Sequence, residues 1–187
     1  RQPWPSDADE GAGIRSAFQD VLIQFTIDLI TAGDARAARQ GQPVITLPVL
    51  RAELDRFMPH EVNEYEDVIY YPHLPPGERI VIEAYDLDAF RDGGLHWRVI
   101  QWALETGSLD GLREPDPFAA ELVAEGVAQL GVLVLRIAGR LSQEDEAQFL
   151  RTADIAAATV EIQRLLQADA EAAASPRRSH GNPAVSA

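Results

Sequence analysis

The stretch Ile14–Arg39 constrains this chain most, because it is apolar on two sides at once. Ile14, Phe18, Val21, Leu22, Phe25 and Leu29 fall on one stripe at the three- and four-residue spacing of an α-helix. Ile23, Ile27 and Ile30 form a second, narrower stripe on roughly the opposite side, with Gln19, Asp20, Gln24 and Asp28 between. A helix with two apolar faces is either sandwiched inside the fold or covered by a second chain. Gly41 and Pro43 end it.

Further helices follow from the same periodicity. Leu50, Leu54 and Phe57 place a short helix over Pro48–Phe57, and Leu95, Val99, Trp102 and Ala103 place one over Leu95–Thr106, with Gly107 as its stop. Asp116-Pro117 is an N-cap followed by proline at the first helical position, and it opens a helix carrying Phe118, Leu122 and Val127. The apolar run Gly131–Ala138, broken by Arg136, fits a helix or a buried strand; no turn signal separates it from Leu130, which favours the helix. Ser142-Gln143-Glu144-Asp145 reads as a capping box opening a long Ala-rich helix to about Ala174, with Ile155, Ala158, Ile162 and Leu165 on its apolar side. Between the second and third helices, Val68–Tyr71 and Arg79–Tyr85 are β-prone and flank the rigid loop Pro72–Gly77, the pattern of a hairpin. The expected fold is therefore mainly α: four or five helices with a small inserted β-hairpin. An α+β arrangement is the alternative if Gly131–Ala138 is a strand. Residues 1–13 read as a flexible linker, 14–174 as one helical domain and 175–187 as a disordered tail. The start at Arg1 and the Pro-, acid- and Gly-rich linker favour a processed extracytoplasmic chain over a cytoplasmic one.

Composition removes several function classes. The chain has no cysteine, so disulfides, thiolate catalysis, iron–sulfur clusters and Cys-ligated zinc are excluded. It has no lysine either: all 16 basic residues are arginine, which excludes a Walker A loop, the protein-kinase signature and a pyridoxal Schiff base. An arginine-only, alanine-rich composition fits a GC-rich bacterial genome. The net charge of −14 repels phosphate backbones and anionic membranes, so no nucleic-acid partner is expected. No uninterrupted apolar run reaches membrane-spanning length, so no direct membrane span is expected.

The remaining candidates are chemical constellations. His60 and Glu64 lie four apart and share one face if helical; with His73 or His96 supplied by the fold they make a His/Glu metal site. There is no HExxH and no Glu-x-x-His pair of the di-iron type. Asp86, Asp88 and Asp92 precede Gly93-Gly94 in the manner of a calcium loop, but Phe90, Arg91 and Trp97 break the EF-hand spacing, which leaves turn-capping acids. Glu64, Glu66, Asp67, Glu83, Asp86 and Asp88 supply carboxylates for paired acid–base chemistry, a set that 30 acids generate by chance. Neither G-x-S-x-G nor G-x-G-x-x-G occurs. Tyr65, Tyr70, Tyr71, Tyr85, Trp97 and Trp102 concentrate in the middle third beside Arg79, Arg91 and Arg98, the residue types that anchor interfaces or line a small-ligand pocket.

These readings converge on a non-catalytic, acidic, helical protein-interaction module. It would be an accessory, assembly or structural subunit that docks on another protein or on itself as a homo-oligomer, with no cofactor. The binding residues expected for it are Ile23, Ile27 and Ile30 on the first helix, and Tyr70, Tyr85, Trp97 and Trp102 in the aromatic middle. The alternative is a metal-binding protein or metal-dependent enzyme using His60, Glu64, His73 and His96. A third reading is a small-ligand binder whose pocket is lined by Tyr70, Tyr85, Trp97 and Trp102.

Overall fold

The computed structural model describes residues 8–58, 61–63, 68–70 and 81–174, with side chains described over 11–58 and 86–165. Six helices occur among them: α1 (Ala8–Arg39), α2 (Leu47–Phe57), α3 (Ala84–Asp92), α4 (Leu95–Glu105), α5 (Pro117–Glu144) and α6 (Thr152–Ala174). The protein is mainly helical, and its core is built chiefly from helix faces, with Ile45, Met58, Leu109 and Leu150 contributed by the connections.

The two-faced first helix explains the architecture. α1 packs against α2, α4, α5 and α6, so both stripes find cover. Ile14, Phe18, Leu22 and Leu29 are buried, Ile30 is buried with them, and Ile23 and Ile27 pack half-buried against the same core. Of the second stripe, Ile30 is thus inside the fold, while Ile23 and Ile27 keep part of their surface exposed. Its helix also begins at Ala8, six residues before Ile14.

α5 is the other half of the spine. It packs against α1, α2, α3, α4 and α6, and Gly131–Ala138 continues it without interruption, so this run is helical and no α+β arrangement arises. Asp116 caps α5, its Oδ1 accepting the Ala119 N–H at 2.8 Å, with Pro117 at the start of the helix. One 18-residue window of α5 is long and apolar enough to cross a membrane, but 72% of it is buried inside the protein. Its apolar surface is satisfied by neighbouring helices, each buried Leu, Ile or Val contributing about 1.5–3 kcal/mol. Arg136, which breaks the apolar run, pairs with Asp86 of α3.

Two expectations need correction. Ser142 does not cap a helix: α5 runs through it to Glu144, and its buried hydroxyl donates to the Phe149 carbonyl at 3.2 Å. α6 starts at Thr152, after a turn that ends at Arg151. Its true start signal is Asp154, whose Oδ2 accepts the Arg151 N–H at 2.8 Å, the backward half of a capping box. The inserted hairpin is not supported as a unit of the fold. Between α2 and α3 only three three-residue segments are described, β1 (Glu61–Asn63), β2 (Val68–Tyr70) and β3 (Val81–Glu83), antiparallel in that order with Ile69 opposite Ile82. Ala84 and Tyr85, read as strand, open α3.

The α1–α2 and α4–α5 connections are stitched together. Ile45 N–H donates to the Glu114 carbonyl at 3.0 Å and Asp116 N–H returns a bond to the Ile45 carbonyl at 2.9 Å. Asp34 Oδ1 accepts from both the Arg113 backbone N–H (3.0 Å) and its guanidinium (2.8 Å).

Candidate functional site

Of the residues the sequence singles out, His60, Glu64 and His73 lie outside the described residues. Tyr70 falls in β2 and Tyr85 in the first turn of α3, with their side chains outside the described set. His96, Trp97 and Trp102 all belong to α4. Among the described residues no group of three or more histidines and carboxylates is placed to hold a metal ion. The calcium-loop reading of Asp86, Asp88 and Asp92 fails on geometry, because these acids sit on helix α3, where Asp86 meets Arg136 and Asp88 meets Arg91 at 2.9 Å.

His96 is buried and its Nδ1 has no hydrogen-bond partner. Its neighbours are the Arg91 guanidinium and the Glu125 carboxylate, which pair with each other across α3 and α5. Burial lowers its pKa, and Arg91 adds to the effect against a weaker pull from Glu125. The positive charge of Arg91 also disfavours a metal cation on the same ring.

The face of α4 that points away from the core is unusual. His96, Val99 and Ala103 are buried, as an amphipathic helix requires. Flanking that buried face, Trp97 is 48% exposed and Leu104 58% exposed. Ile100 lies between them and is half-buried. Trp97, Ile100 and Leu104 stand at the i, i+3, i+7 spacing, so they form a continuous apolar strip. Gln101, Glu105 and Arg98 border it along one edge, all exposed. Gln101 Nε2 donates to Glu105 Oε1 at 3.1 Å, and Arg98 Nη2 donates to the Gly93 carbonyl at 2.6 Å, which orders that edge. The Trp97 ring leans on the His96 ring with centroids 5.7 Å apart, so the indole is held in place.

A second feature is an open cleft of about 790 Å³ between α1, the end of α2, α5 and α6. Its walls are apolar, with Phe25, Phe57, Met58, Val134 and Ile162, and Phe25 meets Phe57 edge-on at 6.2 Å. Asp20, Gln24 and Asp28 of α1 run along one rim, and Arg56 stands at another, its guanidinium 5.5 Å from the Phe57 ring centroid. Of the residues expected to line a pocket whose side chains are described, Trp97 and Trp102, neither lines this cleft.

The sequence reading missed the α4 strip and the cleft for different reasons. The strip was legible: Trp97, Ile100 and Leu104 have the same spacing as the inward face of that helix. Only the Leu95, Val99, Trp102, Ala103 face was read. The cleft was not legible, since it joins residues from four helices. Compared with known protein families, curated proteins and solved structures, the chain matches none.

Proposed function

We propose that the protein is a non-catalytic, acidic, helical interaction module that docks through the outward face of α4. The observation that carries this reading is the apolar strip Trp97–Ile100–Leu104, two of whose residues stay exposed on a helix whose neighbouring face is already buried in the core. A large aromatic held in place and left half in solvent is the kind of residue that dominates interface energetics. The bordering Gln101, Glu105 and Arg98 supply the polar rim that such interfaces carry. The strip includes Trp97 of the residues the sequence singles out and is more exposed than Ile23, Ile27 and Ile30.

The test is site-specific photo-cross-linking. A photoreactive residue is placed at Trp97 or at Leu104, and as a control at Val160, which is 66% exposed on α6. Irradiation of purified protein and of the native cell extract should give protein adducts from α4 and not from α6. Absence of any adduct from both α4 positions in both preparations overturns the reading.

A second reading, a small-ligand binder, is supported by the cleft. Its volume lies in the range of small-molecule sites, about 300–1,000 Å³, and its walls are apolar with few polar groups. Thermal-shift screening of apolar and amphipathic compounds on the wild type and on Val134→Trp addresses it. Stabilisation that the tryptophan abolishes supports the ligand site; a flat response from the wild type removes it.

A further inference from the structure

We infer that the α4 face is complementary to itself and pairs two copies of this chain, with their α4 helices antiparallel across a two-fold axis near Gln101. The inference rests on the interaction reading above and names its partner.

A two-fold interface uses one patch twice, so each residue on one side must suit its symmetry mate on the other. The α4 face meets this requirement in both its apolar and its charged parts. Trp97 and Leu104 are the two exposed apolar ends of the strip, and Arg98 and Glu105 are two exposed opposite charges on its edge. The midpoint of the first pair and the midpoint of the second fall half a residue to either side of Gln101. One axis near Gln101 therefore sets Trp97 against the partner's Leu104 and Arg98 against the partner's Glu105. A two-fold axis in the plane of contact and perpendicular to both helices also keeps the two polar edges on the same side. The charges then meet each other and not the apolar strip. In a parallel two-fold arrangement the polar edges fall on opposite sides of the strip, so neither Arg98 nor Glu105 meets an opposite charge on the partner.

Charge distribution supports the same occupant. The chain carries a net charge of −14, so two copies repel each other over most of their surfaces. α4 carries one arginine, Arg98, and one acidic residue, Glu105, so its formal charges balance. The strip thus lies on a helix that adds no net charge to the repulsion between two acidic copies. An 11-residue helix offers a small contact, below the roughly 1,200 Å² of a stable interface, so the dimer is weak and concentration-dependent.

The experiment is sedimentation velocity on the full chain over about 10 μM to about 1 mM, where an interface of this size dissociates. The wild type should move from monomer to dimer across that range. Trp97→Ala and Leu104→Ala should each weaken dimerisation at least tenfold. Arg98→Glu alone and Glu105→Arg alone should each weaken it, and the double swap R98E/E105R should restore it to within about threefold, since a like-charge contact is replaced by an inverted opposite-charge one. Far-UV circular dichroism of each variant checks folding, which these solvent-facing positions should leave intact. A wild type that stays monomeric throughout overturns the inference, and so does a dimer that the double swap fails to restore. If the wild type is monomeric yet photo-cross-linkers on α4 still capture another protein, self-pairing fails and the interaction reading stands. If neither signal appears, both fail.

Discussion

Gly131 of α5 lies directly against the ring of Phe90 in α3: a Cβ at this position would stand closer than 3.0 Å to the ring edge. The ring cannot simply move away, because Phe18 of α1 braces it edge-on at 6.3 Å. Gly131→Ala therefore trades a gain in helix propensity of about 1 kcal/mol against overpacking of about 1–3 kcal/mol. The expected net outcome is a loss of up to about 2 kcal/mol in chemical denaturation. Gly139, in the same helix, has nothing within 4 Å of its would-be Cβ. Gly139→Ala should instead stabilise by about 0.5–1 kcal/mol, and opposite signs for the two glycines are the discriminating result.

Asp34 joins the α1–α2 half of the fold to the connection that leads into α5. It accepts the Arg113 backbone N–H and the Arg113 guanidinium on one oxygen, while Arg113 Nε donates to the Gln42 carbonyl at 2.8 Å. The backbone hydrogen bond, followed by the guanidinium, lowers the Asp34 pKa. A carboxyl group depressed in the folded state stabilises above its unfolded pKa of about 3.9, and that contribution is lost as pH falls through and below this value. Asp34→Asn should cost about 1–3 kcal/mol at pH 7, since it weakens charge-assisted hydrogen bonds. The deficit should shrink when the denaturation is repeated near pH 3.

The helices were legible wherever apolar spacing or a cap sat in contiguous sequence. The two-faced stretch Ile14–Arg39 indicated a sandwiched helix, and Asp116-Pro117 marked the start of α5. The run Gly131–Ala138 was ambiguous because a helix buried on nearly all sides has no polar face to set its period. Ser142 misled for a related reason. Its Ser-x-x-Asp spacing imitates a capping box, whereas the capping carboxylate of α6 belongs to Asp154 and reaches back to Arg151. Short-range pattern cannot say whether a hydroxyl faces a helix start or a carbonyl seven residues on. Helix α3 was unreadable as a helix because what fixes it is long-range: Phe90 over Gly131, Arg91 to Glu125 and Asp86 to Arg136.

The start of α6 gives a test of that capping assignment. Asp154 is nearly buried, and Arg151 binds it through its backbone N–H, Nε and Nη2. The Arg151 guanidinium, first of all its contacts, lowers the Asp154 pKa. Asp154→Ala should fray the first turn of α6 and cost about 1 kcal/mol, the usual worth of a helix N-terminal cap. Amide hydrogen exchange should show the loss of protection confined to the first turn of α6. Uniform loss across α6 would count against a local cap.

His96 sets the pH response at the back of the α4 face. It is buried without a partner on Nδ1, and desolvation first, then Arg91, lowers its pKa below the ordinary 6.5. The folded state therefore prefers the neutral ring, while the unfolded chain takes up a proton near pH 6.5. The contribution is fully present above about pH 6.5 and is lost as pH falls below it, because protonation then favours the unfolded chain. The carboxylate contributions of Asp34 and Asp154 titrate lower, so between about pH 7 and pH 5 the difference between the wild type and His96→Leu reports on this histidine. The melting temperature of the wild type should fall across that window. His96→Leu removes the titrating group, and its melting temperature should be flatter there. Glu125→Gln removes the one nearby charge that favours the protonated ring, so its pH dependence should be at least as steep as in the wild type. An imidazole that titrates by NMR at or above pH 6.5 in the folded protein would refute the assignment.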